Sequence, residues 1–224
     1  MTEAPTVYVV EDNPAFSDAV VLTLESAEMN VRACADADEF LGIYNDEPGC
    51  LLTDVRMPRM SGLELQQHLA ERDLHIPIVF MTGHGDVATS VTALKRGAVD
   101  FLEKPFGAAA LLGSVREALA RDAVARQIDN ERSLVEARFR LLSERESRVM
   151  EMVIAGWSNK EIARGLAISP RTVDHHREHV MTKMEAGSLN DLIVMGLICG
   201  LRELRLRPSD NPADAAASRT RHRE

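Results

Sequence analysis

Four polar features of this chain stand where short apolar runs end: Glu11-Asp12, Asp54, Thr82 and Lys104. Taken singly, each is an ordinary loop or strand-end residue. Gathered into one crevice, they place three carboxylates, a hydroxyl and an ammonium together. Clustered carboxylates repel one another unless a cation joins them, and a hard, oxygen-rich site with few protein ligands suits a hydrated Mg²⁺. The chemistry that follows is phosphoryl transfer to a carboxylate, in which the cation neutralises phosphoryl oxygens while one Asp attacks phosphorus and forms an acyl phosphate. Lys104 would neutralise another oxygen. Thr82 would donate a hydrogen bond to a third, once the phosphoryl group is present.

A crevice of this kind needs a sheet whose strand ends converge. Over the first 120 residues apolar runs alternate with amphipathic stretches, the pattern of a parallel sheet. The predicted strands are Thr6 to Val10, Asn30 to Ala33, Cys50 to Thr53, Ile76 to Met81 and Val99 to Leu102. Helices are expected over Ala15 to Glu28, Ala37 to Tyr44, Gly62 to Arg72, Val87 to Arg96 and Ala108 to Leu119. Right-handed crossovers turn these five βα units into an α/β doubly wound, five-stranded parallel sheet, flavodoxin-like, with its functional groups at the carboxyl ends of the strands.

The order and spacing of Glu11-Asp12, then Thr53-Asp54-Val55-Arg56-Met57-Pro58 with Gly62, then Thr82-Gly83, then Lys104-Pro105-Phe106 resemble the receiver domains of two-component response regulators. The resemblance covers about 115 residues. It implies that Asp54 accepts a phosphoryl group from a sensor histidine kinase. It also implies that Asp12 and Asp54, with the backbone carbonyl of Arg56, hold Mg²⁺, and that Glu11 acts mainly through metal-bound water. Phe101 matches the receiver's switch aromatic on the last strand. The family further has a cis peptide where this chain has Lys104-Pro105, in keeping with the tolerance of X-Pro bonds for cis. His84 falls near the site mouth and is read as a loop histidine.

Composition is that of a globular protein, with 45% hydrophobic and 27% charged residues. A length of 224 residues suits two compact units and a connector. The net charge of −9 is unevenly spread: residues 1–121 hold 19 acidic against 9 basic groups, whereas residues 143–206 hold 9 of each. A neutral second domain can bind DNA if its basic groups share a face. Cys34, Cys50 and Cys199 are far apart and sit in apolar stretches, which reads as reduced thiols in a cytoplasmic protein. No segment approaches the length of apolar chain that spans a bilayer, so no membrane association is expected.

Beyond Leu119 the strand pattern stops. Residues 1–121 are expected to form the first domain, 122–142 a helical linker, 143–206 an all-α second domain and 207–224 a disordered tail. Ile128, Val135 and Leu142 stand seven apart, but Glu131 and Arg138 interrupt the companion positions, so an ordinary amphipathic linker is favoured over a coiled coil. Ser143 with Glu146 three residues later makes a capping box, Ser158 caps a second helix, and Ser169-Pro170 starts a third. Two short helices, the later one opening on a polar N-terminus, form a helix-turn-helix. The segment Leu142 to Leu201 resembles the LuxR-type DNA-binding domain. Asn159-Lys160-Glu161-Ile162-Ala163 with Ser169-Pro170-Arg171-Thr172-Val173 resembles its FixJ-like branch. By position in that resemblance, Thr172, Asp174, His175 and Glu178 would face base edges, while Lys160, Arg171, Arg177 and Lys183 would meet phosphates. A fourth helix, Asn190 to Leu201, matches the one that pairs two such domains.

The expected whole is a response regulator and transcription factor in which phosphorylation promotes homodimerisation and promoter DNA binding, with no enzymatic activity beyond its own phosphoryl transfer and dephosphorylation. Phosphohydrolases with an aspartate nucleophile on a similar sheet usually carry a second Asp two residues on, and here Arg56 stands there. A receiver that had lost its chemistry would not keep Asp54, Thr82 and Lys104 together. Receivers of the FixJ-like branch dimerise on the fourth helix and last strand, here the surface near Val87, Val91, Lys95 and Val99.

Overall fold

The computed structural model describes residues 4–83 and 97–201. The predicted helix Val87 to Arg96, with Val87, Val91 and Lys95, lies outside the described residues, as do His84 and the tail. The chain divides into two compact units, Met1–Gln127 and Ile128–Glu224.

In the first unit five strands lie parallel in the order β2-β1-β3-β4-β5: β1 Thr6–Val10, β2 Asn30–Cys34, β3 Gly49–Asp54, β4 Ile78–Thr82 and β5 Asp100–Glu103. The central strands read as unbroken apolar runs, VYVV, CLL and IVFM, because helices cover both faces of the sheet. Alternation sorts their side chains. Tyr8, Val10, Leu51 and Phe80 pack with Phe40 of α2 (Ala37–Ile43) and with Leu65 and Leu69 of α3 (Gly62–Glu71). Val7, Val9, Leu52, Val79 and Met81 pack with Val20 and Leu24 of α1 (Pro14–Glu25) and with Leu111 and Val115 of α4 (Ala108–Arg140). β4 begins two residues later than predicted, after Pro77, which has no N–H to give a ladder and only accepts, from Leu51.

The expected pair of helices, Ala108 to Leu119 and a connector after it, is one helix, α4. No proline breaks it, and its first turn beyond Leu119 is tied to the sheet. Asp122, 2% exposed, accepts the backbone N–H of Gly49 at 3.0 Å and two bonds from Arg126 Nε at 3.0 Å. Arg126 also donates to the carbonyls of Asp46 and Glu47, both at 2.9 Å. A receiver fragment ended at Arg121 would lose both groups, whereas one ended at Gln127 keeps them.

In the second unit α5 (Glu144–Ile154), α6 (Asn159–Leu166), α7 (Pro170–Met184) and α8 (Leu189–Ile198) enclose a core of Val149, Met150, Val153, Ile162, Val173, Val180, Met184 and Leu192, joined by Val135 from α4. The three expected serine caps are present, and the boxes at Ser143 and Ser158 are closed by Glu146 and Glu161. Ala167 ends α6 in the left-handed region at φ 53, which makes the tight turn ahead of Ser169. All three cysteines are free. Burial pushes the Cys34 and Cys50 thiols up to about 11 and about 12, while Cys199 is only half-buried. Among the described residues no helix is long and apolar enough to cross a membrane.

Candidate functional site

β1, β3 and β4 are parallel and in register, so their carboxyl ends deliver Glu11-Asp12, Asp54 and Thr82 to one edge of the sheet, with Lys104 one residue past β5. Glu11, Asp12 and Asp54 each bring a carboxylate oxygen within 4.8 Å of the other two. Lys104 Nζ donates to Glu11 Oε2 at 2.6 Å and lies 3.1 Å from Asp54 Oδ2. Glu11 is 3% exposed, and its other oxygen accepts the Asn13 N–H at 3.3 Å. Burial pushes the Glu11 carboxyl up and the Asp54 charge adds to this, against the pull of Lys104. Asp12 is exposed at the rim.

Two glycine and proline features shape this edge. A Cβ at Gly62 would lie 2.2 Å from the backbone oxygen of Asp54, so only glycine lets α3 start against the end of β3. The Lys104-Pro105 peptide is cis, as the resemblance implied. Thr82, 4% exposed, donates its hydroxyl to the Gly83 carbonyl at 3.0 Å. Phe101 is half-buried, its ring centroid 6.1 Å from that of Phe80. Arg56 lies in the loop after Asp54 with an exposed side chain. Phe16 was missed in the sequence. Its ring centroid stands 4.3 Å from Lys104 Nζ, and α1 periodicity marks it only as a core residue.

The donor set suits a small hard dication. Among the described residues, three carboxylates set against one ammonium leave an excess of negative charge in a partly buried crevice, and the clustered ligand atoms are carboxylate oxygens. Asp12 and Asp54, with Glu11 beside them, are the side chains that could hold it.

In the second unit α7 presents Arg171, Asp174, His175 and Glu178 as exposed residues, with Thr172 and Arg177 half-buried, and Lys160 is exposed on the first turn of α6. Lys183 has partners within the domain. Its ammonium donates to Glu146 Oε2 at 2.6 Å and to the Leu141 carbonyl at 3.3 Å, so its charge is committed inside the domain. Glu146, 4% exposed, also accepts from the Ser143 backbone N–H and hydroxyl and lies 3.4 Å from His179 Nδ1. The sequence showed Glu146 only as half of a capping box.

Burial alone would push the Glu146 carboxyl up, but the bonds from Lys183 and Ser143 prevail and hold it at about 2. Its folded pKa is thus below the ordinary 4.5. The stabilisation it gives is present above that value and is lost as pH falls from about 4.5 towards about 2. Trp157 is the sole tryptophan, so its fluorescence follows this domain. In acid titrations of denaturant midpoints, Glu146→Gln should be less stable than wild type at neutral pH and fall less steeply across that window. Parallel curves would contradict this account of Glu146.

An acidic crevice with a lysine at the carboxyl ends of a doubly wound sheet, followed in the chain by a helix-turn-helix, is the build of a response regulator with a DNA-binding output domain. Comparison with known families agrees in both halves: residues 7–116 match the response regulator receiver domain, and residues 140–196 match the bacterial regulatory proteins of the luxR family. The transcriptional regulatory protein FixJ of Azorhizobium caulinodans is 45% identical, over 90% of this chain and 96% of that protein. Among solved structures, the response regulator StyR aligns with a TM-score of 0.79 and 39% identity, covering 86% of this chain and 98% of that one. Full-length FixJ from B. japonicum aligns with a TM-score of 0.53 and 41% identity, covering 90% and 99%. The chain belongs to the FixJ-like branch of the LuxR-type response regulators.

Proposed function

We propose that Asp54 is the phosphoacceptor, taking a phosphoryl group from a sensor histidine kinase, and that the acyl phosphate promotes dimerisation and promoter binding by a cytoplasmic protein. The observation that supports this most is Lys104 Nζ, held 3.1 Å from Asp54 and buttressed by Glu11. A phosphorus arriving at Asp54 meets a nucleophilic oxygen with a cation already beside it. The carboxylate oxygen forms the new P–O bond as the donor's P–N bond breaks, and the leaving imidazole takes up a proton. Mg²⁺, held by Asp12, Asp54 and the Arg56 carbonyl, with Glu11 acting through its water, would neutralise phosphoryl oxygens. Thr82 then turns its hydroxyl from the Gly83 carbonyl to the phosphoryl group, and Phe101 moves inward beside Phe80. Reversal by water returns the carboxylate, and no other catalysis is assigned.

For the second domain we assign Lys160, Arg171 and Arg177 to phosphates and Thr172, His175 and Glu178 to base edges, and we leave Lys183 out because of its bond to Glu146. Lys160→Ala should weaken binding to specific and unrelated DNA alike and reduce the salt slope by about 0.9, whereas His175→Ala should change sequence preference with the slope unchanged. Identical profiles for the two variants would refute the sorting.

Dimerisation supplies the switch because a helix-turn-helix monomer reads one half-site, and paired half-sites require a two-fold. The receiver fragment 1–127, which retains Asp122 and Arg126, should sediment as a monomer alone and as a dimer at tens of micromolar with a phosphodonor and Mg²⁺. A fragment that is phosphorylated and stays monomeric, while the full chain gains DNA affinity, would point instead to release of an inhibitory contact between domains.

A further inference from the structure

Asn159 is the first residue of α6, immediately after its cap Ser158, yet its side chain serves α7. The amide nitrogen donates to Asp174 Oδ1, and the amide oxygen accepts from Arg177 Nη1 at 2.7 Å. Asp174 and Arg177 stand three apart on α7 and so share a face. The orientation of the amide is fixed by its partners: turned over, it would set oxygen against carboxylate and NH₂ against guanidinium. One neutral side chain therefore ties the start of α6 to the first turns of α7 and holds Arg177 by one of its five N–H donors, leaving the others for a phosphate.

We propose that Asn159 is a positioning residue for DNA recognition: anchored on Asp174, it fixes Arg177 as a phosphate clamp that sets the register of α7 in the major groove. This rests on the reading of the second unit as a DNA-binding domain, and it changes the role of Asp174. That carboxylate acts as the anchor of the amide and does not accept from a base. Phosphate contacts carry no sequence information themselves, but they fix orientation and register, on which every base contact depends. A freed Arg177 keeps its charge, so attraction to DNA survives while discrimination does not.

The test uses the full chain with a phosphodonor and Mg²⁺, on a duplex selected by the wild type from random DNA, its single-base variants and a scrambled duplex. Asn159→Ala should reduce discrimination between the selected site and its variants about tenfold. Its salt slope should stay at the wild-type value, while Arg177→Ala lowers the slope by about 0.9. The double variant Asn159→Asp with Asp174→Asn keeps net charge and lets a carboxylate at 159 accept from both Arg177 and the amide at 174. It should regain most of the lost discrimination. Unchanged discrimination in Asn159→Ala overturns the proposal. So does an equal loss on selected and scrambled DNA accompanied by a lowered unfolding midpoint, which would mark a purely structural bond. A double variant no better than Asn159→Asp alone also overturns it, because Asp174 would then be reading DNA directly. A wild-type chain that selects no DNA would instead overturn the DNA-binding reading on which the proposal rests.

Discussion

Asp54→Asn should reduce labelling by a small phosphodonor with Mg²⁺ to background, while wild type gains one phosphoryl group that hydroxylamine removes. The carboxamide has the shape of the carboxylate but no charge and no nucleophilic oxygen, so the substitution deletes the chemistry without opening a cavity. Neither neighbour can take over. Glu11 is 3% exposed with one oxygen on Lys104 and the other on the Asn13 N–H, and Asp12 lies at the exposed rim. The fold should persist, since Lys104 keeps its 2.6 Å bond to Glu11. Equal labelling of variant and wild type would show that another group is phosphorylated.

Gly62→Ala should be the most damaging single-methyl change near the site. The added carbon would lie 2.2 Å from the Asp54 backbone oxygen and 3.2 Å from the Phe80 ring. Neither side can yield easily. The Gly62 N–H donates to Val55 at 3.1 Å, Ser61 and Glu64 close a capping box over the start of α3, and Asp54 ends a central strand of the sheet. Overpacking of this kind costs about 3 kcal/mol, which lowers the receiver's melting temperature by roughly 10 °C. It should also slow phosphorylation, because relief of the clash displaces Asp54 itself. Trp157 reports only the second domain, so its transition should stay in place while the calorimetric receiver transition falls. A receiver transition at the wild-type temperature would mean that α3 can shift freely, contrary to this reading of Gly62.

The strands and the acidic crevice were legible because strand ends in a parallel sheet converge by topology alone. Glu11, Asp54, Thr82 and Lys104 announce themselves wherever the apolar runs stop. The serine caps were legible for a local reason, since a side chain three residues away from a backbone N–H needs no tertiary knowledge. What stayed hidden depended on contacts across long separations. Arg121 looked like a boundary because the strand pattern had ended, yet Asp122 reaches Gly49, 73 residues earlier in the chain, and carries the helix onward. Lys183 looked like one more cation on an exposed helix face. Only packing of α7 against the start of α5 reveals Glu146 as its partner, 37 residues away. Asn159 carried no charge and sat beside a capping serine, so nothing local distinguished it from an ordinary first-turn residue.

Phosphorylation of Asp54 should govern DNA binding by the same chain. Titration of wild-type and Asp54→Asn full-length protein against the selected duplex, with and without phosphodonor at fixed Mg²⁺ and salt, separates this coupling from phosphate-independent binding. The phosphodonor should tighten wild-type binding and leave Asp54→Asn where it began. An equal gain in both proteins, or none in a wild-type sample shown to be phosphorylated, would contradict it.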